Sequence, residues 1–269
     1  MSNYRLEGKT FVIDDYDRKP AFSSFLPGLA GVKGIPLWTF YTNRGQGMNS
    51  FGIDNKGNAI MEFNSANTAF ENTTVKGFRT FLKIDGQYYE PFFQYEDDAK
   101  RSIRMNKNSF KIIENNTKYG IEVTVNYYVL PNESIGALVR QVSVKNTGDK
   151  VKNIEIVDGL PKIITYGIAN GEFKEMSNLF KSWADIKNLE NKVPYYTLRA
   201  STKDSAEVSD VEGGYYYLTI KDNELQDVIY DVDTVFGYDL SLMTPVNFID
   251  GSIEGVLSKE QCFANKVPC

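Results

Sequence analysis

Apolar and polar residues alternate with a period of two over much of this chain. In the run Gly120 to Leu130, Ile121, Val123, Val125 and Tyr127 fall on one face and Glu122, Thr124 and Asn126 on the other. That spacing predicts a strand with one buried face. Ile103 to Ile113 reads as the strand before it, ended by the polar turn Glu114-Asn115-Asn116-Thr117. Leu138, Arg140, Val142 and Val144 share a face, as do Ile154 and Ile156. The connection Asn146-Thr147-Gly148-Asp149-Lys150 has the residues tight reversals need, so these two segments are expected to form a hairpin. Further strands are expected at Thr10 to Asp14, Leu37 to Thr42, Asn58 to Phe63, Phe78 to Ile84, Tyr215 to Ile220 and Val228 to Asp231. Asp85-Gly86 lies between Leu82-Lys83-Ile84 and Gln87-Tyr88-Tyr89 and suits a type I′ hairpin turn.

One segment departs from period two. Between Gly171 and Leu189, Phe173, Met176, Phe180 and Trp183 recur at three- and four-residue steps, with Leu179 and Ile186 widening the stripe. Glu172, Lys174, Lys181 and Lys187 lie elsewhere. The spacing predicts an amphipathic helix of roughly five turns, with Asn170 as N-cap and Pro194 beyond its end. The expected fold is an all-β, large antiparallel β-sandwich with one helix near 171–189. No repeat, low-complexity tract or linker marks a boundary, so residues 1–269 are read as one domain.

Composition narrows the chemistry. The 269 residues contain no histidine, which excludes histidine-dependent triads, histidine metal ligands and a histidine pH switch. The cysteines, Cys262 and Cys269, fall late and make neither a disulfide framework nor a zinc site. Together with an N-terminus lacking a signal-like apolar stretch, they point to a reduced, cytoplasmic setting. No segment has the apolar length of a membrane span. Net charge is −5 and basic residues are dispersed, which argues against nucleic acid or an anionic membrane as partner.

Candidate chemistry concentrates between Lys33 and Gly52. Trp38 and Tyr41 precede the turn Asn43-Arg44-Gly45-Gln46-Gly47. Aromatic rings stack on the apolar face of a pyranose, Asn and Gln bond its hydroxyls, and Arg44 offers a rigid fork. The same residues suit a strand–turn–strand corner with Trp38 in the core and Arg44 paired to a carboxylate, and spacing alone favours that corner. In Lys76-Gly77-Phe78-Arg79-Thr80-Phe81, Arg79 is expected to face outward, in a structural ion pair rather than a ligand contact. The pairs Asp14-Asp15 and Asp97-Asp98 are poor glycosidase candidates, because neighbouring strand residues point to opposite faces. No phosphate loop or nucleophile elbow is present.

Several words in order carry a family resemblance. Arg18-Lys19-Pro20-Ala21-Phe22-Ser23-Ser24-Phe25-Leu26-Pro27-Gly28-Leu29-Ala30-Gly31 runs into Gly34-Ile35-Pro36-Leu37-Trp38. Asn43-Arg44-Gly45-Gln46-Gly47, Ser50-Phe51-Gly52, Asn58-Ala59-Ile60-Met61-Glu62-Phe63 and Gly77-Phe78-Arg79-Thr80-Phe81 follow. Later come Lys174-Glu175-Met176-Ser177, Trp183 and Pro194-Tyr195-Tyr196. These resemble the N-terminal region of cellobiose-phosphorylase-like proteins, the β-oligoglucan phosphorylases of the group of glycoside hydrolase families 94, 149 and 161. The resemblance implies a super-sandwich, galactose-mutarotase-like domain. It implies an enzyme that cleaves β-glucosidic bonds with inorganic phosphate as co-substrate, giving α-glucose 1-phosphate with inversion. In that family the general acid and phosphate site belong to an (α/α)₆ barrel absent from this sequence, so no residue here is assigned a catalytic role and this chain alone is expected to be inactive. The implied partners are the barrel, a second copy in a homodimer and a β-glucooligosaccharide. Phe25, Trp38, Tyr41, Arg44 and Gln46 are the candidate active-site rim, and no cofactor or metal is expected. The alternative is a non-catalytic structural or carbohydrate-binding domain.

Overall fold

A computed structural model describes residues 3–198, 206–207 and 213–257. Cys262 and Cys269 lie outside the described residues. Strands predominate, in several antiparallel sheets with few helices. In chain order the elements begin β1 (Tyr4–Glu7), β2 (Thr10–Asp14), β3 (Ser23–Ala30), β4 (Ile35–Thr42), β5 (Met48–Ile53), β6 (Ala59–Met61) and α1 (Ala66–Lys76). Then come β7 (Arg79–Ile84), β8 (Gln87–Tyr89), β9 (Ala99–Met105), β10 (Ser109–Asn116), β11 (Ile121–Val129), β12 (Leu138–Asn146) and β13 (Ile154–Gly159). The remainder is α2 (Asn170–Trp183), β14 (Ala184–Lys187), β15 (Tyr195–Leu198), β16 (Ile220–Lys221), β17 (Glu224–Leu225), α3 (Asp233–Phe236), α4 (Val246–Asp250) and α5 (Ile253–Leu257). Contacts divide the chain into two compact units, residues 1–56 with 63–159, and residues 57–62 with 160–269.

The first unit holds a six-stranded sheet in the order β1-β2-β9-β10-β11-β12, all antiparallel. The alternation read in β11 is realised: Ile121, Val123, Val125 and Tyr127 are buried, and the residues between them are half-buried. Its neighbour differs from expectation. Residues 103–113 are not one strand but parts of β9 and β10, reversed at Asn106, whose side chain accepts from the backbone N–H groups of Asn108 and Ser109. Glu114 to Asn116 continue β10, and the turn falls at 117–120.

The expected hairpin between 138–144 and 154–156 does not form. β12 pairs with β11, whereas β13 pairs with β7 in a three-stranded sheet, β13-β7-β8. Thr147 N–H bonds Gly120 O, and Asn146 Nδ2 holds Lys150 O, so the chain turns away before a reversal can close. At Asp85-Gly86 both residues have positive φ, 50° and 82°, and Ile84 pairs with Gln87, giving the two-residue turn that was expected. β4 joins β3 and β5, with a register shift between Phe40 and Tyr41. α1 was not foreseen; it begins after Ser65, buries Ala69 and Thr73, and ends at Gly77, where a Cβ would lie 2.3 Å from Thr73 O.

In the second unit α2 stops at Trp183, earlier than the periodicity implied, and Ala184–Lys187 pairs with β15. Ile186 continues the helical stripe by spacing, yet it is a strand residue buried with Tyr196 and Tyr230. Asn170 is the first helical residue rather than the cap; Glu172 reaches back to accept the Ala169 N–H at 3.0 Å. Of Tyr215 to Ile220 only Ile220 lies in a strand, with Tyr216 bridging Tyr195, and Val228 to Asp231 is irregular. No helix among the described residues is long and apolar enough to cross a membrane.

Candidate functional site

The five candidate rim residues divide among four environments. Trp38 and Phe40, two apart in β4, project from one face, and register places Phe25 of β3 directly opposite Phe40. Phe25 and Phe40 have ring centroids 4.7 Å apart, and Phe63 lies 5.5 Å from Phe40 and 5.8 Å from Trp38. Phe25 remains 52% exposed and Trp38 half-buried. The indole Nε1–H donates to Asn55 O at 3.2 Å, which fixes the ring edge. The planes of Phe25 and Trp38 cross at 64°, and those of Trp38 and Phe63 at 88°. Phe40 and Phe63 were not singled out from sequence, although two-residue spacing from Trp38 marks the former.

Tyr41, one residue on, points to the other face. It packs on Phe110 at 4.6 Å, and its hydroxyl donates to Met105 Sδ at 3.0 Å. Burial pushes its phenol pKa upward.

The Asn43–Gly47 turn is held from inside. Buried Asn43 donates from Nδ2 to Tyr16 O, Pro20 O and, at 3.3 Å, Lys19 O, while its Oδ1 accepts from Phe22 N–H. Tyr16 OH donates to Gly45 O at 2.8 Å. Arg44 makes no ion pair among the described residues. Its guanidinium lies 4.3 Å from the Phe70 ring centre and donates to Asn43 O at 2.7 Å and Lys19 O at 3.2 Å. Burial lowers its pKa, against a smaller opposing pull from Asp17. The sequence-based corner with a carboxylate partner is thus replaced by a cation–π contact and two carbonyls.

Gln46 is 3% exposed and belongs to the interior. Its Nε2 donates to Thr80 Oγ1 at 2.9 Å, Thr80 Oγ1 donates to Asp158 Oδ1 at 2.5 Å, and Arg140 bridges Asp158 and Gln46 Oε1. Burial alone would lower the Arg140 pKa; Asp158 and Tyr127 outweigh it and the net shift is upward.

Two more buried arginines complete a set of paired charges. Arg79, expected to face outward, is buried and grips Glu90 at 2.6 and 2.8 Å. Arg101 bonds Glu114 at 2.6 Å, Asp17 at 2.9 Å and Gln94 O at 2.5 Å. Glu114 also accepts from Tyr89 OH and from Phe92 N–H. Each guanidinium is held by carboxylate partners, an arrangement that fixes strands rather than one that meets a substrate. Asp14 pairs with Arg5, and Asp97 accepts from Tyr95 OH. Among the described residues no group of three or more Cys, Asp or Glu is placed to hold a metal ion.

No protein-family model matches the chain, and no curated protein matches it. Any functional assignment therefore stands on the residues themselves.

Proposed function

We propose that this chain is the N-terminal β-sandwich of an inverting glycoside phosphorylase acting on β-glucan oligosaccharides, and that it supplies a sugar-contacting rim and a dimer-supporting surface rather than catalysis. The observation carrying this reading is the aromatic group in which exposed Phe25 of β3 and half-buried Trp38 of β4 lie with half-buried Phe63 over the buried ring of Phe40. A pyranose stacks its C–H face on such rings, which bury large apolar area at small entropic cost. The meeting of Tyr41 with Phe110, and of Arg140 with Asp158, supports a sandwich of the six-stranded sheet against the smaller ones. The buried Arg–carboxylate groups make the platform rigid. In this reading proton transfer and inorganic phosphate belong to the helical barrel, and no residue here takes a chemical step.

A second reading, a structural domain whose aromatic face docks on a protein partner, draws on the crossed planes of Trp38 and Phe63, which interlock instead of lying flat. Calorimetric titration of the chain with laminari-, cello- and sophoro-oligosaccharides separates the two. The sugar-contact reading expects a saturable binding event that Trp38→Ala removes, with no phosphate-dependent release of glucose 1-phosphate. Absence of heat with all three series sinks it in favour of docking.

A further inference from the structure

The register of β4 parts Tyr41 from Trp38, and the face Tyr41 enters has its own concavity. An open cup of about 460 Å³ is lined by Tyr4, Phe11, Ile13, Phe22, Tyr41 and Met105. That volume lies in the roughly 300–1,000 Å³ range of ligand pockets. Tyr4 and Phe11 come from the β1–β2 hairpin, where Tyr4 pairs with Ile13 and Leu6 with Phe11, so all four side chains share a face. The Tyr4 and Phe11 rings lie within 21° of parallel at 6.5 Å, and they stay 45% and 40% exposed. They contrast with the crossed rings beside Trp38.

Charge is kept to the other side of these strands. Arg5 bonds Glu7 and Asp14, and Arg104 bonds Glu7; all four alternate with the cup residues along their strands. Lys19 holds its ammonium 5.8 Å from the Tyr4 ring centre, a cation–π position. The polar groups within the cup are hydroxyls. Tyr41 OH donates to a thioether, a weak acceptor. A ligand oxygen would be a better acceptor than Met105 Sδ, so the Tyr41 proton can turn to it with a net gain. A hydrocarbon would offer no such oxygen, and an anion would find the arginines of these strands paired on the other side. A neutral ring with an apolar face and hydroxyl edges fits both features.

We propose that this cup is a carbohydrate-binding site separate from the Phe25–Trp38 group, taking one neutral pyranose unit against the half-exposed rings of Tyr4 and Phe11 with a ring or hydroxyl oxygen on Tyr41. The choice of β-glucan as the polymer rests on the function proposed above. The whole chain is titrated with laminari-, cello- and sophoro-oligosaccharides beside Tyr4→Ala, Tyr41→Phe and Trp38→Ala, while sedimentation follows its association state. Tyr4→Ala removes a half-exposed ring, and Tyr41→Phe keeps the contact with Phe110, so both variants retain the fold. Each is expected to weaken one of two binding events about tenfold, the scale of a single good aromatic or hydrogen-bond contact, and Trp38→Ala to leave that event intact. Unchanged affinity and stoichiometry in both tyrosine variants overturns the cup while leaving the Trp38 rim standing. Loss of all binding in the tyrosine variants, with none in Trp38→Ala, supports the cup and removes the rim. No binding in any arm removes both, and a dimer that Tyr4→Ala dissociates shows a second copy filling the cup, which also overturns the proposal.

Discussion

Gly47→Ala tests how tightly the Asn43–Gly47 corner is built into the core. Gly47 has φ +80°, and a Cβ there would lie 2.5 Å from both Cε1 and Cζ of Phe110. Phe110 is buried, wedged against Tyr41 at 4.6 Å and Tyr127 at 6.0 Å, so it has little room to retreat. Left-handed backbone costs a non-glycine residue about 1–2 kcal/mol. Forcing extra volume into a packed core adds about 1–3 kcal/mol. The total, about 2–5 kcal/mol, corresponds to a fall in Tm of roughly 5–15 °C for a unit of this size. Gly86→Ala supplies the control: φ is +82° there, with no atom within 4 Å of the added Cβ. It carries the backbone cost alone, about 1–2 kcal/mol. Urea unfolding followed by circular dichroism gives both values, and the difference isolates the clash. Phe110→Leu deletes both clashing atoms, so Gly47→Ala should cost little more than Gly86→Ala in that background. If Gly47→Ala and Gly86→Ala are equally mild in the wild-type background, the close packing claimed for the corner is refuted.

Two further perturbations address the buried charges and phenols. Glu114→Ala leaves Arg101 buried without its main carboxylate and should cost about 3–5 kcal/mol, whereas Glu7→Ala, at an exposed ion pair with Arg104, should cost far less; equal effects in urea denaturation would contradict the buried-network account. Burial raises the phenols of Tyr16 and Tyr127, the latter to about 12. The unfolded chain then loses these protons near pH 10 while the folded chain keeps them, so stability is complete below pH 10 and falls as pH rises toward 12. Urea midpoints measured from pH 8 upward should decline across that window and decline less in Tyr127→Phe; a flat profile would show that these phenols are not buried.

Periodicity revealed which face of a strand is buried but not which strand lies beside it. β11 is legible because its buried positions are all apolar or aromatic. β10 runs Phe110, Ile112, Glu114, Asn116 on its buried face, so hydrophobicity fades halfway along while the strand continues. The polar half therefore looked like a turn. The same effect hid Arg79 and Arg101, since a charged strand residue reads as outward-facing until its buried partner, Glu90 or Glu114, is known. β13 has a clear apolar pattern, yet its partner β7 lies some seventy residues earlier in sequence, a separation that local spacing does not encode. At the end of α2, Ile186 satisfies a helical step from Trp183 and a strand alternation with Ala184 equally, and pairing with β15 decides the matter. At the candidate site, the word Asn43-Arg44-Gly45-Gln46-Gly47 pointed to a constrained corner. It could not show that Gln46 turns inward to Arg140, or that Tyr41 parts from Trp38 to meet Met105.

The central claim, that the β3–β4 aromatic face contacts β-glucan, is tested most directly at the Trp38 indole N–H, which donates to Asn55 O beside the exposed Phe25 ring. Titrating the ¹⁵N-labelled chain with laminari-, cello- and sophoro-oligosaccharides should shift that resonance saturably with at least one series while the indole of Trp183 stays fixed. A Trp38 resonance that does not move at saturating concentrations of all three would contradict the account.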